Sequence, residues 1–292
     1  MFMNNPIPKV AAIHDLSGFG RSSLTVVIPI LSAMGMQVSP LPTAVLSTHS
    51  QIAGYKLVDL TDHMRDFLTH WKTLNIDFNA IYSGFLGSEE QIDIVREMIL
   101  SFKRENQLVV VDPVLGDDGE LYGPFAKSMV TKMRSLIKHA NVITPNLTEA
   151  ALLLNKSYVT EITEKEVKKW VFELSEQGPD TVIITSVPER KDKKTTSVIA
   201  YNRADQRYWK VSCDYLPGSY PGTGDAFTSV IVGALLQGDS LPIALDRAVE
   251  FVSMGIRATF GYSYNNLEGF LLERALGCLS SSVHKWSYEL LE

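Results

Sequence analysis

The chain has 292 residues, of which 45% are hydrophobic and 21% charged, an ordinary globular composition that suits one large α/β domain and leaves room for a small second one. A formal net charge of −6 weighs against a nucleic-acid binder, and no apolar run nears the ~20 residues of a membrane span. Residues 1–8 lack the basic start and apolar core of a signal peptide, so a cytoplasmic protein is expected, with Cys213 and Cys278 as buried thiols rather than a disulfide framework.

Val10-Ala11-Ala12-Ile13 is an apolar run of strand length, and His14 to Gly20 reads as a turn-rich loop after it. Ser22 or Ser23 is placed to cap a helix through about Met34, ended near Gly35. Val38 to Pro42 reads as extended, with Pro40 and Pro42 suiting a sheet edge. Val45 to Tyr55 is polar and carries His49, and Asp59 to Trp71 has helical spacing. Ala80-Ile81-Tyr82 runs into the Gly-bounded loop Ser83-Gly84-Phe85-Leu86-Gly87. Ser88 is placed to cap the next helix, with Ile92, Val95, Ile99 and Phe102 on its inner face. Leu108-Val109-Val110-Val111 is apolar throughout, as in a strand covered on both faces, and Asp112-Pro113 closes it.

The pattern then repeats. A helix is expected from about Gly123 to Lys138, a strand over Asn141 to Thr144, a helix from Leu147, a helix over Lys165 to Glu176 and a strand over Thr181 to Thr185. Strands near Ser197–Tyr201 and Arg207–Val211 lie close enough for a hairpin. Pro242 to Thr259 closes the series as a helix with proline at a permitted first position. Strands alternating with helices predict a three-layer α/β sandwich, a mostly parallel sheet with helices on both faces. No linker, repeat or low-complexity segment divides the chain, so a single domain over 1–292 is expected, with 1–8 as a tail. Glu189 to Lys194 is a charge run that reads as a solvated loop, or as a flap over phosphates.

One stretch stands apart. Tyr220-Pro221-Gly222-Thr223-Gly224-Asp225 precedes an apolar series at helical spacing, Phe227, Val230, Ile231, Ala234 and Leu235. A Gly-rich turn therefore opens a buried helix, whose first amides lack internal partners and face outward at the positive end of the dipole. Small residues let an anion approach that backbone. Asp225 would repel an anion unless it takes a proton from an attacking hydroxyl. An amide cradle with an adjacent base is what phosphoryl transfer to an alcohol requires. The plain alternative is a tight turn whose Asp favours the helix terminus. The segment is neither a Walker loop nor a Rossmann fingerprint.

In such sheets ligands bind at the carboxyl ends of the strands. Asp15, His49, Phe85, Asp112, Asn146, Glu149, Thr185 and Asp225 all fall there or in the following loop. Asp112 and Glu149 would set two carboxylates on one rim, hard ligands suited to Mg²⁺ held largely through waters and phosphates. Alternatively, Asp112-Pro113 only stops a strand and Asn146-x-x-Glu149 is a capping box. Their coincidence on one rim favours the functional reading.

At these residues the chain resembles the vitamin B6 (pyridoxal, pyridoxine, pyridoxamine) kinases of the ribokinase-like superfamily. The resemblance runs nearly end to end. It is carried by Val111 to Asp117, by Ile143-Thr144-Pro145-Asn146 with Glu149, by Gly178 to Ser186 and by Gly222-Thr223-Gly224-Asp225; Ser83 to Ser88 and Ser47-Thr48-His49-Ser50 point to the B6 branch. The resemblance implies that Asp225 activates the 5′-hydroxymethyl group and that the Gly222, Thr223 and Gly224 amides hold the transferred phosphoryl. Asp112, Asp117, Asn146 and Glu149 would organise Mg²⁺, its waters and the ATP phosphates, with Asp112 and Glu149 on the metal side. Thr185 and Ser186 would contact the nucleotide, while His49, Ser50 and Phe85 would face the pyridine ring. It also implies K⁺ near the phosphates, a homodimer and no separate lid domain.

The pattern departs from relatives at three positions. Asp15 stands where animal and enterobacterial B6 kinases carry Ser, Phe85 where many carry Tyr, and Ser50 where several carry Thr. The Asp15 loop is also close to that of hydroxymethylpyrimidine kinases. Asp15 either pairs with the 4′-amino group of pyridoxamine or caps a local turn. The rival readings are a hydroxymethylpyrimidine kinase and a non-catalytic module that binds the phosphorylated vitamin. The carboxylate beside the anion cradle argues against the second, and the lack of an inserted strand cluster between Gly35 and Ala80 argues against a sugar kinase.

Overall fold

The structure is a computed structural model that describes residues 6–123, 125–188, 195–263, 265–280 and 287–291. In chain order, β1 (Lys9–Phe19), α1 (Leu24–Ala33), β2 (Gln37–Thr48), β3 (Leu57–Asp59), α2 (Thr61–Thr73), β4 (Ala80–Ser83), α3 (Glu89–Ser101) and β5 (Leu108–Val111) form the first half. A two-strand ribbon follows, β6 (Gly116–Asp117) and β7 (Glu120–Leu121). Then come α4 (Lys127–Ile137), β8 (Val142–Ile143), α5 (Leu147–Leu154), α6 (Glu164–Ser175), β9 (Thr181–Pro188), β10 (Thr195–Asn202) and β11 (Arg207–Asp214). The chain closes with α7 (Thr223–Leu236), α8 (Leu241–Thr259), α9 (Leu272–Ala275) and β12 (Tyr288–Leu291).

Ten strands form one sheet in the order β12-β11-β10-β9-β8-β5-β4-β1-β2-β3. From β2 to β9 neighbours run parallel, whereas β3 and β10 to β12 add antiparallel margins. Alternate residues of each central strand face opposite layers, as the two-residue strand period dictates. Ala11, Ile13, Ile81, Val109 and Val111 pack with α2 to α6, while Val10, Ala12, Ala80, Tyr82 and Val110 pack with α1, α7, α8 and α9. The expected sandwich is thus present, with two cores separated by the sheet. Among the described residues no helix is long and apolar enough to cross a membrane.

Four readings of the sequence are corrected. His14 to Phe19 is not a loop: it continues β1, paired with β2 as far as Phe19 opposite Thr48, with one irregularity between His14 and Leu16. Its polar residues hide the strand because His14, Asp15 and Ser17 are buried at the site rather than facing water. Ser23 takes the N-cap position of α1, but its side chain does not cap; it turns to Asp15 instead. The helix expected from Gly123 starts at Lys127. Cys213 and Cys278 form no disulfide and are half-buried, not buried. Pro40 and Pro42 lie in β2 ahead of the three residues that pair with β3, on a stretch with one open edge, as proline requires. The charge run at 189–194 lies outside the described residues.

Candidate active site

The carboxyl ends of β1, β2, β4, β5, β8 and β9 and the start of α7 surround a cavity of about 240 Å³. All fourteen residues singled out from the sequence line it: Asp15, His49, Ser50, Phe85, Asp112, Asp117, Asn146, Glu149, Thr185, Ser186, Gly222, Thr223, Gly224 and Asp225.

One wall is the amino end of α7. Gly222 is its N-cap with φ 83°, a left-handed conformation that avoids cost only without a Cβ, and an added Cβ would sit 2.3 Å from the Arg21 carbonyl oxygen. Asp225 follows in the first turn. Its Oδ2 accepts the Ser23 amide at 2.8 Å, and its Oδ1 lies 3.7 Å from His14 Nδ1. Burial is the main influence on this carboxyl and raises it to about 6; the Ser23 amide opposes that and the charge of Asp15 adds to it. His14 is fully buried, edge-on to the Tyr82 ring at 4.4 Å. Burial lowers it to about 3, so it stands neutral beside Asp225, and both its ring nitrogens lack hydrogen-bond partners.

A second wall carries Glu149, and Asp112 stands between it and α7, where the Thr228 hydroxyl donates to Asp112 Oδ2 at 3.4 Å. Asn146 caps α5, accepting the Glu149 amide at 2.9 Å, while Glu149 Oε2 accepts the Asn146 amide at 2.9 Å. Glu149 Oε1 takes the Leu115 amide at 2.9 Å, and Asn146 Nδ2 donates to the Gly116 carbonyl at 2.8 Å. The capping box and the cavity wall are therefore one device. Burial pushes Glu149 up to about 7, with the backbone amides opposing it. Asp112 is pushed well above the carboxylate range by burial and then by the charges of Glu149 and Asp225. Asp117, on β6, is exposed, and its carboxyl is raised by partial desolvation.

Buried carboxylates held above their ordinary range beside a cavity call for a cation. Among the described residues no three His, Cys, Asp or Glu side chains converge on a metal cage. Both Glu149 oxygens already accept amides. The donor set therefore fits a hard divalent ion bound mostly through water and phosphate oxygens, the habit of Mg²⁺.

The third wall is formed by β1, β2 and the loop after β4. Asp15 is buried and accepts the hydroxyls of Ser17 and Ser23, the first at 2.9 Å. His49 Nε2 bonds the Leu267 carbonyl, so that nitrogen carries the proton, and Nδ1 is left buried without a partner. Phe85 stacks on Phe125 at 5.7 Å.

Residues 59–268 match the phosphomethylpyrimidine kinase family. A Bacteroides thetaiotaomicron protein, described as a "putative phosphomethylpyrimidine kinase", is 56% identical over all of both chains, with a TM-score of 0.96. A second crystal form of that protein, which contains pyridoxal, is 57% identical over 98% of this chain and 100% of that one, at a TM-score of 0.95. This chain belongs to the phosphomethylpyrimidine kinase family. Pyridoxal kinase from Lactobacillus plantarum is 32% identical over 93% of this chain and 96% of its own, with a TM-score of 0.85. Among curated relatives, a pyridoxal kinase of Dictyostelium discoideum is 24% identical over 262 residues, 84% of either chain. The match to a relative in Schizosaccharomyces pombe covers 54% of this chain and 46% of that protein. The family member is an ATP-dependent phosphotransferase with the ribokinase-like fold of the B6 kinases.

Several residues of this kinase's cavity escaped the sequence. Ser23 holds Asp225 through its amide. Tyr122 lines the wall beside Glu149 and Asp117, and its hydroxyl is raised by burial and by those charges. It follows the β6–β7 ribbon, too short to leave a periodic signal. Thr228 donates to Thr144 at 2.9 Å beneath Asp112. Its place one helical turn after Asp225 was the available clue.

Proposed function

We propose that the chain is one kinase domain over 1–292 that transfers the ATP γ-phosphoryl group to the 5′-hydroxymethyl of a B6 vitamer. The observation that carries this reading is Asp225, a largely buried carboxyl at the open amino end of α7 that shares one cavity with the carboxylates of Asp112 and Glu149. The close relative crystallised with pyridoxal supports the substrate class. One sheet that takes strands from Lys9 to Leu291 supports the single domain.

In the reaction Asp225 accepts the hydroxyl proton as the alkoxide oxygen bonds the γ-phosphorus. The bond from that phosphorus to the β,γ-bridging oxygen breaks in line, and ADP leaves. The amides of Gly222, Thr223 and Gly224 hold the oxygens of the moving phosphoryl, aided by the α7 dipole. Positioning and charge neutralisation do most of this work. Asp112 and Glu149, with Asp117 and Asn146, would hold Mg²⁺ and its waters, and the ion would neutralise phosphate charge. Thr185 and Ser186 contact the nucleotide, and His49, Ser50 and Phe85 face the ring. His49 Nδ1, an unused acceptor, is suited to a phenolic hydroxyl on that ring. Asp15 favours a vitamer with an amino group. Thiols outside any disulfide at Cys213 and Cys278 suit a cytoplasmic setting, and a homodimer is the expected assembly.

The test is ADP release with Mg·ATP against pyridoxal, pyridoxine, pyridoxamine and hydroxymethylpyrimidine, with Mg²⁺ and K⁺ each omitted in turn. Turnover of a B6 vitamer is expected. Turnover of the pyrimidine alone would move the protein to that branch, and no turnover would leave a binding module. The pH profile gives a separate expectation. Because the base must be ionised and titrates near 6, kcat/KM for the alcohol should fall on acidification through about that pH and level off above it. A flat profile from pH 5 to 8 (roughly the window where such a base titrates) would contradict Asp225 as base.

A further inference from the structure

Ser23 combines three unusual properties. Its backbone sits at φ 54° and ψ −130°, a conformation that a residue with a side chain adopts at a cost. It occupies the N-cap of α1, where a serine oxygen ordinarily accepts an amide of the first turn, yet it makes no such bond. Its two donors go instead to two different carboxylates. The amide reaches Asp225 Oδ2 at 2.8 Å, and the hydroxyl reaches Asp15 Oδ1 at 2.5 Å. The residue is 4% exposed, so neither bond is shared with bulk water. A bridge between Leu16 and Ser23 ties the segment back onto β1. Strain and a forgone cap at one buried residue need a compensating role, and the two carboxylates supply one.

We infer that Ser23 is a positioning residue that locks Asp15 and Asp225 into one rigid carboxylate pair, so that the site selects alcohols bearing a cationic or hydrogen-bond-donating group close to the hydroxymethyl. The inference rests on the alcohol-kinase reading. Asp225 meets the hydroxyl while Asp15 meets the second group, and Ser23 fixes their relative placement. The hydroxyl also favours the ionised form of Asp15, against the burial that raises it. The groups facing Asp15 are the Ser17 and Ser23 hydroxyls, the His49 ring and the charge of Asp225; those facing Asp225 are His14, Asp15, Tyr82 and Asp112.

The test compares Ser23→Ala, which keeps the backbone strain, with Ser23→Gly, which relieves it; both lose the hydroxyl. In each, kcat/KM for the preferred alcohol should fall by about tenfold or more, the usual weight of a hydrogen bond to a charged group. The loss should appear in the KM of the alcohol, with the KM of ATP unchanged. Ser23→Gly should melt no lower than Ser23→Ala, so a shared kinetic defect would not be a folding defect. Alcohol kinetics within about twofold of wild type in both variants, or a matching rise in the KM of ATP, would overturn the inference. An independent measurement needs no turnover: carbon-13 carboxylate titrations of wild type and Ser23→Ala, assigned with Asp15→Asn and Asp225→Asn. The Asp15 midpoint should move to higher pH in Ser23→Ala, and an unmoved midpoint would overturn the inference. If wild type uses only a pyrimidine alcohol and both Ser23 variants lose it, the vitamer reading fails and the role of Ser23 stands.

Discussion

Asp225→Ala lowers kcat by about 10²–10⁴-fold while leaving the affinity for ATP close to that of the wild type. The size follows from removing the proton acceptor, and the selectivity follows from place. Asp225 lies in the first turn of α7, whereas Asn146 and Glu149 belong to the start of a different helix, α5. Steady-state kinetics with calorimetric ATP titration checks both halves, and near-wild-type turnover would remove Asp225 from the role of base. The same residue carries a stability signature. Its carboxyl is raised from 3.8 to about 6 in the folded protein, so the fold binds that proton more readily than the unfolded chain does. The stabilising contribution is fully present below pH 3.8 and is lost as pH rises through about 6. Asp225→Asn cannot ionise and escapes that loss. Its Tm should exceed that of the wild type at about pH 8, and the difference should close towards about pH 4. An inactive variant that is more stable at neutral pH is the outcome expected of a carboxylate largely withdrawn from water for catalysis.

Gly222→Ala and Gly224→Ala should act in opposite ways although they are two residues apart. At Gly222 the backbone is left-handed, and a Cβ would fall 2.3 Å from the Arg21 carbonyl oxygen and 3.1 Å from Val26 Cγ2. The neighbours are backbone and a buried core side chain, so relief requires moving the turn. A loss of about 2–4 kcal/mol is expected, seen as a fall in Tm of several degrees. At Gly224 the nearest atom to an added Cβ is Asp112 Oδ2, at 3.9 Å, which is ordinary contact. Alanine there fits the empty fold and should hold or raise Tm, since alanine favours helix by up to about 1 kcal/mol. Its methyl group would occupy the space where the phosphoryl oxygens meet the amides, and kcat/KM should fall by about 10²–10³-fold. Thermal melts and kinetics on the two variants separate scaffold from cradle. Equal kinetics for Gly224→Ala and wild type would place the phosphoryl elsewhere.

The fold was legible where burial acts on whole runs. Leu108 to Val111 reads as a strand because both faces are covered, and the inner face of α3 follows from Ile92, Val95 and Ile99. It failed where the site interrupts the pattern. His14, Asp15 and Ser17 give β1 the composition of a loop because they are buried beside the site, and the groups nearest His14 and Asp15, namely Asp225 and Ser23, lie outside the strand where no local rule reveals them. The β6–β7 ribbon and β12 are short, and β12 pairs with a strand about eighty residues earlier, so non-local pairing decides its state. Ser23 shows the limit most clearly. Its residue type and place correctly mark the start of α1, but the direction of its hydroxyl is set by Asp15, eight residues earlier. Asn146 and Glu149 show the reverse, since the capping box and the functional reading describe the same bonds.

The alternation of residues along the central strands has an evolutionary consequence. The cradle and Asp225 hang from α7, on one side of the sheet, while the Glu149 side hangs from α5, on the other. The two hydrophobic layers meet only through strand backbone, and substitutions without shared neighbours combine almost additively. Drift in one layer therefore leaves the other nearly unaffected. Each layer can accept core substitutions on its own, and stability lost in one can be regained there without repacking the other.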